Sequence, residues 1–268
     1  MQKLALFDGD YFLYLATNPD KELDQEGQPV RKDNKFVYQS NPDVGQMITK
    51  VDNIIIDILN TIEAEWYLGF LTGGSFRYKI NQDYKANRKG RVRPKYFKVL
   101  KEYLIDHWGF YIHNELEADD LVNIARNYYN KINIEDSSHL TAIYGLEPII
   151  VSNDKDILNL EGVHYNPQKK RFEDTSEEGA IDYFWRSMII GDVGDNIKGI
   201  PGKGEKFVEK LITQYPSGDL KIMIYEEYLE YFGEEYGINE FYKNYKSLKI
   251  LDSYEGLELP NPIKYEKI

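Results

Sequence analysis

Apolar positions along the chain change period from segment to segment, and the period predicts what each segment becomes. Residues 3–8, KLALFD, are a short apolar run ending on an acid, as in a strand buried on both faces. From 44 to 62 the apolar residues fall at 44, 47, 48, 51, 55, 58, 59 and 62, a helical spacing. WYLGFLT at 66–72 predicts a second strand. Pro94 suits the opening of a helix carrying Phe97, Leu100 and Leu104. GFYIH predicts a short strand, 117–131 a helix, and EPIIVSND at 147–154 a third main strand. VHYNPQKKRFED at 163–174 reads as a hairpin, and the polar, turn-rich stretch 18–43 as an irregular excursion or hairpin. Strands alternating with helices argue an α/β fold with a mostly parallel central sheet.

After Thr175 the alternation stops. Thr175 and Glu178 are spaced as a capping box for a helix reaching Ile190. Helices joined by glycine turns follow, so the sequence divides into an α/β unit at 1–175 and a helical subdomain at 176–268. The Tyr- and Glu-rich stretch 225–245 reads as an amphipathic helix with an aromatic core face and an acidic solvated face.

Composition narrows the chemistry. The 268 residues include no cysteine, which excludes disulfides and thiolate metal sites and fits a reducing cytoplasm. The four histidines are too scattered for a zinc site: His107 and His113 are six apart, and His139 and His164 stand alone. No apolar run approaches the ~20 residues that span a bilayer, and the N-terminus lacks a signal peptide's apolar stretch. No membrane partner and no oligomerisation signal are expected, so a monomer is. The net charge of −12 argues against a nucleic-acid partner until its distribution is read. Arg77 to Lys101 holds ten Lys or Arg against one acid, Asp83. That segment carries +9 and the rest of the chain −21.

Acids collect at the ends of elements. Asp8 ends the first strand. Glu117, Asp119 and Asp120 open a helix in ELEADDLV, within one turn of one another. Asp154 and Asp156 follow the third strand in SNDKDIL; Asp192 and Asp195 follow a helix in GDVGDN. Acids cap helices and fill turns routinely, so a single cluster means little. Four clusters converging on the carboxyl edge of one sheet would repel strongly without a cation. Oxygen-only ligands favour Mg²⁺ or Mn²⁺, and the surplus of carboxylates suggests two ions ~3.5–4 Å apart, as in phosphodiester hydrolysis. The basic segment would then grip a polyanionic substrate.

LFDGD, YKANRKGRVRPK, ELEADDLV, SNDKDIL and GDVGDNIKGIPGKG, in this order and spacing, resemble the 5′-nuclease superfamily. That group includes flap endonucleases, the 5′-nuclease domain of bacterial DNA polymerase I and phage 5′–3′ exonucleases, and the T-odd phage exonucleases look most similar. The likeness covers about residues 3 to 210. It implies a PIN-like nuclease domain, with helices on both faces of the sheet and a basic arch at about 77–93. It also implies a C-terminal helical part carrying a helix–three-turn–helix unit. By the same resemblance, Asp8, Glu117, Asp119 and Asp120 would serve one metal and Asp154, Asp156, Asp192 and Asp195 a second. Lys85 and Arg88 would act at the scissile phosphate. Arg77, Lys79, Lys89, Arg91, Arg93, Lys198, Gly199, Gly202, Lys203 and Gly204 would contact DNA, with a potassium ion at the glycine turn. Tyr11 and Tyr14 could stack on a terminal base, although core packing is the simpler reading.

The expected substrates are DNA 5′ ends, flaps and nicks, or RNA–DNA hybrids at primers, in replication or repair in a phage-infected bacterial cytoplasm. One position departs from the family. Thr72 stands where an acid is expected, followed by Gly73 and Gly74, so weaker metal binding is expected. Two alternatives remain at this stage: a DNA-structure binder on a weakened nuclease fold, and a PIN-type ribonuclease.

Overall fold

The first strand, β1 (Gln2–Asp8), is apolar on both faces because helices cover both. Leu4 and Leu6 face the helix α5 (Ala118–Glu135). Ala5 and Phe7 face α1 (Asp10–Thr17), α2 (Val44–Ile62) and α4 (Phe97–Asp106). Strand side chains alternate, so one strand feeds two cores. The computed structural model describes residues 2–17, 19, 21–33, 35–37, 42–135, 145–215 and 217–266. His139 and parts of the 18–43 excursion lie outside these. The described part of the excursion carries the short antiparallel pair β2 (Arg31–Lys32) and β3 (Lys35–Phe36).

Parallel pairing places β1 between β4 (Trp66–Thr72) and β6 (Leu146–Val151). Beyond β6 lie β7 (Gly162–Asn166), parallel to it, and β8 (Arg171–Thr175), which closes the expected hairpin antiparallel to β7. The far side of β4 pairs with β5 (Tyr111–His113) in parallel at one end and with β11 (Ile263–Lys264) antiparallel at the other. Among the described residues, seven strands thus form one mixed, mostly parallel sheet. Asp8, Thr72, the loop after β5 and the loop after β6 all lie on its carboxyl edge, where open α/β sheets build sites.

After the short helix α3 (Arg77–Ile80) the basic segment runs as turns and coil, with one 3₁₀ turn at Ala86–Arg88, until α4. The helical part begins with α6 (Glu177–Ile190), capped by Ser176, whose Oγ accepts from Gly179 N at 3.1 Å. The cap is therefore one residue beyond the expected Thr175. A two-residue pair, β9 (Gly191–Asp192) and β10 (Ile197–Lys198), follows, then α7 (Glu205–Gln214). The single helix expected over 225–245 is two, α8 (Ser217–Phe232) and α9 (Glu234–Leu248), broken at Gly233 with φ +83°. A third core of Phe184, Met188, Val208, Leu220, Ile224, Tyr228 and Phe241 joins α6 to α9.

The expected boundary of 176–268 needs correcting. The helices end at Leu248, and the chain then returns to the α/β body. Ile250, Leu251, Tyr254, Leu257 and Leu259 pack with the α5 core, and Ile263 and Tyr265 with the α2 core. Tyr265 N donates to Glu65 O at 2.8 Å, fixing β11 on the β4 edge.

Candidate active site

Four element ends supply the acids of one cavity of about 440 Å³ on the carboxyl edge of the sheet. Asp8 and Asp10 come from the β1–α1 junction, Glu117 and Asp119 from the start of α5, Asp154 and Asp156 from the turn after β6, and Asp195 from the β9–β10 loop. Lys85, Arg88, Thr72, Tyr11 and Tyr14 complete much of the wall. Among the described residues, Glu117, Asp119 and Asp120 are the set whose oxygens lie within 4.8 Å of one another. Asp192 stands behind the cavity, buried and paired with Lys155 Nζ at 3.2 Å. The eight expected acids are thus neighbours, but the second group is not gathered as tightly as the first.

Burial and crowding dominate the electrostatics. Burial, then Asp10 and Asp154, push Asp8 up to about 7, although Ser152 Oγ donates to its Oδ2 at 2.9 Å. Burial, then Asp154 and Asp192, push Asp156 up to about 7. Asp119 is also raised, by burial and then by Asp120 and Glu117. Asp192 goes the other way. Burial would raise it, but backbone N–H donors of Asp195 and Gly194 and the Lys155 ammonium outweigh burial and hold it low. Such a cluster favours protonation or a cation.

Protein cations sit among these acids. Lys85 takes a left-handed backbone, φ +53°, and its ammonium pairs with Glu117 and lies 3.7 Å from Asp195. Arg88 Nη2 reaches Asp195 Oδ1 at 2.6 Å. Tyr84 OH lies 2.7 Å from Glu117 Oε2 and 2.8 Å from Asp195 Oδ2, so it bridges the α5 start and the β9–β10 loop. Sequence reading did not single out Tyr84 or Lys155. Backbone bonds reinforce the bridge: Lys85 N donates to Asp195 O, and Asn87 Nδ2 to Val193 O, both at 2.8 Å. The base of the basic segment is therefore fastened to the acidic loop.

Arg77 differs from its expected role. It is 2% exposed and cannot present its charge to DNA from this position. Its guanidinium grips Asp120 at 2.6 and 2.8 Å and Glu117 at 3.2 Å, and donates to the carbonyls of Ser247 and Lys249. Asp120, wholly buried, also accepts from Leu251 N at 3.0 Å. Its carboxylate is spent on Arg77 and the backbone rather than turned to the cavity.

The other basic positions fall into two groups. Lys89, Arg91, Arg93 and Lys198 are exposed, Arg93 lying over the Phe97 ring. Lys79 is exposed but paired with Glu115. Lys203 is half-buried: its ammonium pairs with Glu227 of α8 and lies over the Phe207 ring, so its charge is already answered within the protein. Gly199 packs against the backbone at Ile189–Gly191, Gly202 supplies a left-handed turn with φ +80°, and Gly204 caps α7. Tyr11 is half-buried, whereas Tyr14 stands 51% exposed at the cavity wall. His107, His113 and His164 do not line the cavity.

Thr72 is tied into the backbone framework. Its Oγ1 accepts from Ala118 N at 3.0 Å, at the start of α5, and its carbonyl accepts from Lys101 Nζ at 2.7 Å. The two following glycines have a steric reason. A Cβ at Gly73 would fall 2.2 Å from His113 O, and one at Gly74 2.0 Å from Asn114 O.

No family model matches the chain. It is 26% identical to DNA polymerase I of Caldicellulosiruptor bescii over 242 residues, 80% of this chain and 25% of that protein. It is 27% identical to a 5′-3′ exonuclease of Mycoplasmopsis pulmonis over 157 residues, 54% of this chain and 49% of the relative. The chain thus spans half or less of the length of these curated relatives. Its fold is similar to that of a bacteriophage T5 flap endonuclease solved with DNA and metal ions, with a TM-score of 0.60 at 16% identity, covering 94% of this chain and 89% of that one. Curated relatives and a shared fold together make the chain similar to proteins of the 5′-nuclease superfamily.

Proposed function

We propose that the protein is a metal-dependent 5′-nuclease that hydrolyses phosphodiesters at DNA 5′ ends or 5′ flaps. The observation that carries this reading is the convergence of seven carboxylates with Lys85 and Arg88 on one cavity. The donor set fits a hard divalent cation: it is all oxygen, several acids are pushed up by their neighbours, and protein cations already lie among them. Glu117 and Asp119 would hold one Mg²⁺ or Mn²⁺, with Asp8 close by; Asp154, Asp156 and Asp195 would hold a second, and Asp192 would keep Lys155 in place. Such ions would polarise the scissile phosphate and activate the attacking water.

The remaining roles belong to the chain's own side chains. Lys85 and Arg88 would exchange carboxylate partners for phosphate oxygens and stabilise charge developing there. Lys89, Arg91 and Arg93 would hold the strand that enters, and Tyr14 would offer a face to a terminal base. α6, the glycine turn 199–204 and α7 would form the helix–three-turn–helix unit, reading duplex phosphates with a potassium ion at the turn. RNA primers paired to DNA are a further substrate of the same chemistry. Replication or repair in a bacterial cytoplasm is the setting this reading implies.

The test is cleavage of 5′-labelled duplex, 5′-flap and RNA–DNA substrates with Mg²⁺, Mn²⁺ or chelator, beside the double variant Asp154→Ala/Asp156→Ala. Metal-dependent release of short labelled products, lost in the variant, is the expected result. Tight flap binding without cleavage under either metal would overturn the reading in favour of a DNA-structure binder. Cleavage confined to RNA would favour a ribonuclease.

A further inference from the structure

We propose that Asp10 supplies the metal pocket with the carboxylate that Thr72 lacks at the end of β4. The inference rests on the nuclease reading above and assigns one more residue to its site. Asp10 opens α1, two residues past Asp8, and lines the same cavity as Asp8, Thr72 and Asp119.

An acid just before a helix bonds the helix's own free N–H groups, and one in the first turn is drawn to the helix's positive end. Among the described residues Asp10 bonds none of the N–H groups of α1. Its Oδ1 accepts from Thr72 N at 3.2 Å, across the sheet edge. Among the described residues its other oxygen has no hydrogen-bond partner. That tether holds a carboxylate beside the carboxyl end of β4, where the strand's own side chain is a neutral threonine. The Thr72 hydroxyl is engaged with Ala118 N, and its carbonyl with Lys101 Nζ. Thr72 therefore offers the pocket a backbone anchor and no charge, and Asp10 brings the charge to that anchor.

The charges around Asp10 are consistent with a ligand role, direct or through a water. Asp8, Asp119 and Asp154 share its cavity, and Lys101 on α4 is the ammonium nearest the Thr72 anchor. An extra acid among these costs folding energy unless a cation shares the space. Hard divalent ions are bound in proportion to the carboxylate charge facing them. Thr72 then does not leave the pocket short of an acid; the negative charge has moved from β4 to α1.

The test is Mn²⁺ titration of the full chain without DNA, by calorimetry and by electron paramagnetic resonance. Asp10→Asn keeps the acceptor for Thr72 N and removes the charge. It should weaken Mn²⁺ binding by roughly tenfold or more without lowering the melting temperature in chelator. The swap Asp10→Thr/Thr72→Asp should recover most of the lost affinity. Wild-type binding that Asp119→Asn reduces but Asp10→Asn leaves unchanged would overturn the Asp10 assignment and keep the metal pocket. A wild-type chain that takes up no Mn²⁺ would overturn both.

Discussion

Single side chains in this site are held in states they would not adopt in water, and pH exposes them. Asp8 and Asp156 are both pushed up to about 7. An unfolded Asp titrates near ~3.9. Between these values the folded chain binds protons that the unfolded chain has lost, so these acids favour the fold as pH falls from 8 towards 5. Above 7 their full ionisation penalty is present, and below ~4 no further gain remains. His164 opposes the trend, because burial lowers its imidazole's affinity for a proton. The expected outcome is therefore a difference: in chelator, Asp8→Asn should raise the melting temperature at pH 8 more than at pH 5.5. Mg²⁺ should stabilise the wild type more at pH 8 than at pH 5.5. An Asp8→Asn gain equal at both pH values would contradict the raised acid. At this scale the acids were legible because each cluster sits at a predicted element end. Asp10 was overlooked because the first turn of a helix is an ordinary place for an acid, and only the fold brings Thr72 N beside it.

Between elements, charge does a different job. Arg77 joins α3 to Asp120 and Glu117 at the start of α5 and to the carbonyls of Ser247 and Lys249 at the end of α9. Arg77→Met should leave Asp120 buried without its partner and cost about 3–5 kcal/mol in denaturant unfolding. Arg77→Lys should recover little, since an ammonium cannot match the planar fork that serves two carboxylates and two carbonyls. The double variant Arg77→Met/Asp120→Asn should cost less than the sum of the singles; strict additivity would mean that the pair does not bind the elements together. In the sequence Arg77 looks like one more member of a basic run. Its partners in α9 are 170 residues away, and no local pattern encodes them. Elements with a strong period, such as α2 and β4, were read to the residue, because burial on a fixed face writes their pattern. The Gly233 break in 225–245 was missed because aromatic and acidic residues continue the helical period on both sides of it.

Across the whole molecule, one basic surface is set on an acidic body, and the fold decides which of its charges are free. Arg77, Lys79 and Lys203 are paired within the protein, and Lys85 and Arg88 are directed into the acidic cavity. Lys89, Arg91 and Arg93 remain exposed next to that cavity. Each phosphate contact that releases a counterion contributes about 0.7 to 0.9 to the slope of log affinity against log salt. The triple variant Lys89→Ala/Arg91→Ala/Arg93→Ala should therefore lower that slope for a 5′-flap substrate by about 2 to 3. Its Mn²⁺ affinity without DNA should stay unchanged, because among the described residues the cavity carboxylates pair with Lys85, Arg88 and Lys155 and not with these three. The −21 carried by the rest of the chain makes this local grip more necessary: away from the segment the body repels DNA, so binding should be lost steeply once the grip is removed. A flap-binding slope unmoved by the triple substitution would place the DNA-holding surface elsewhere, the exposed Lys198 beside the glycine turn being the next position to vary.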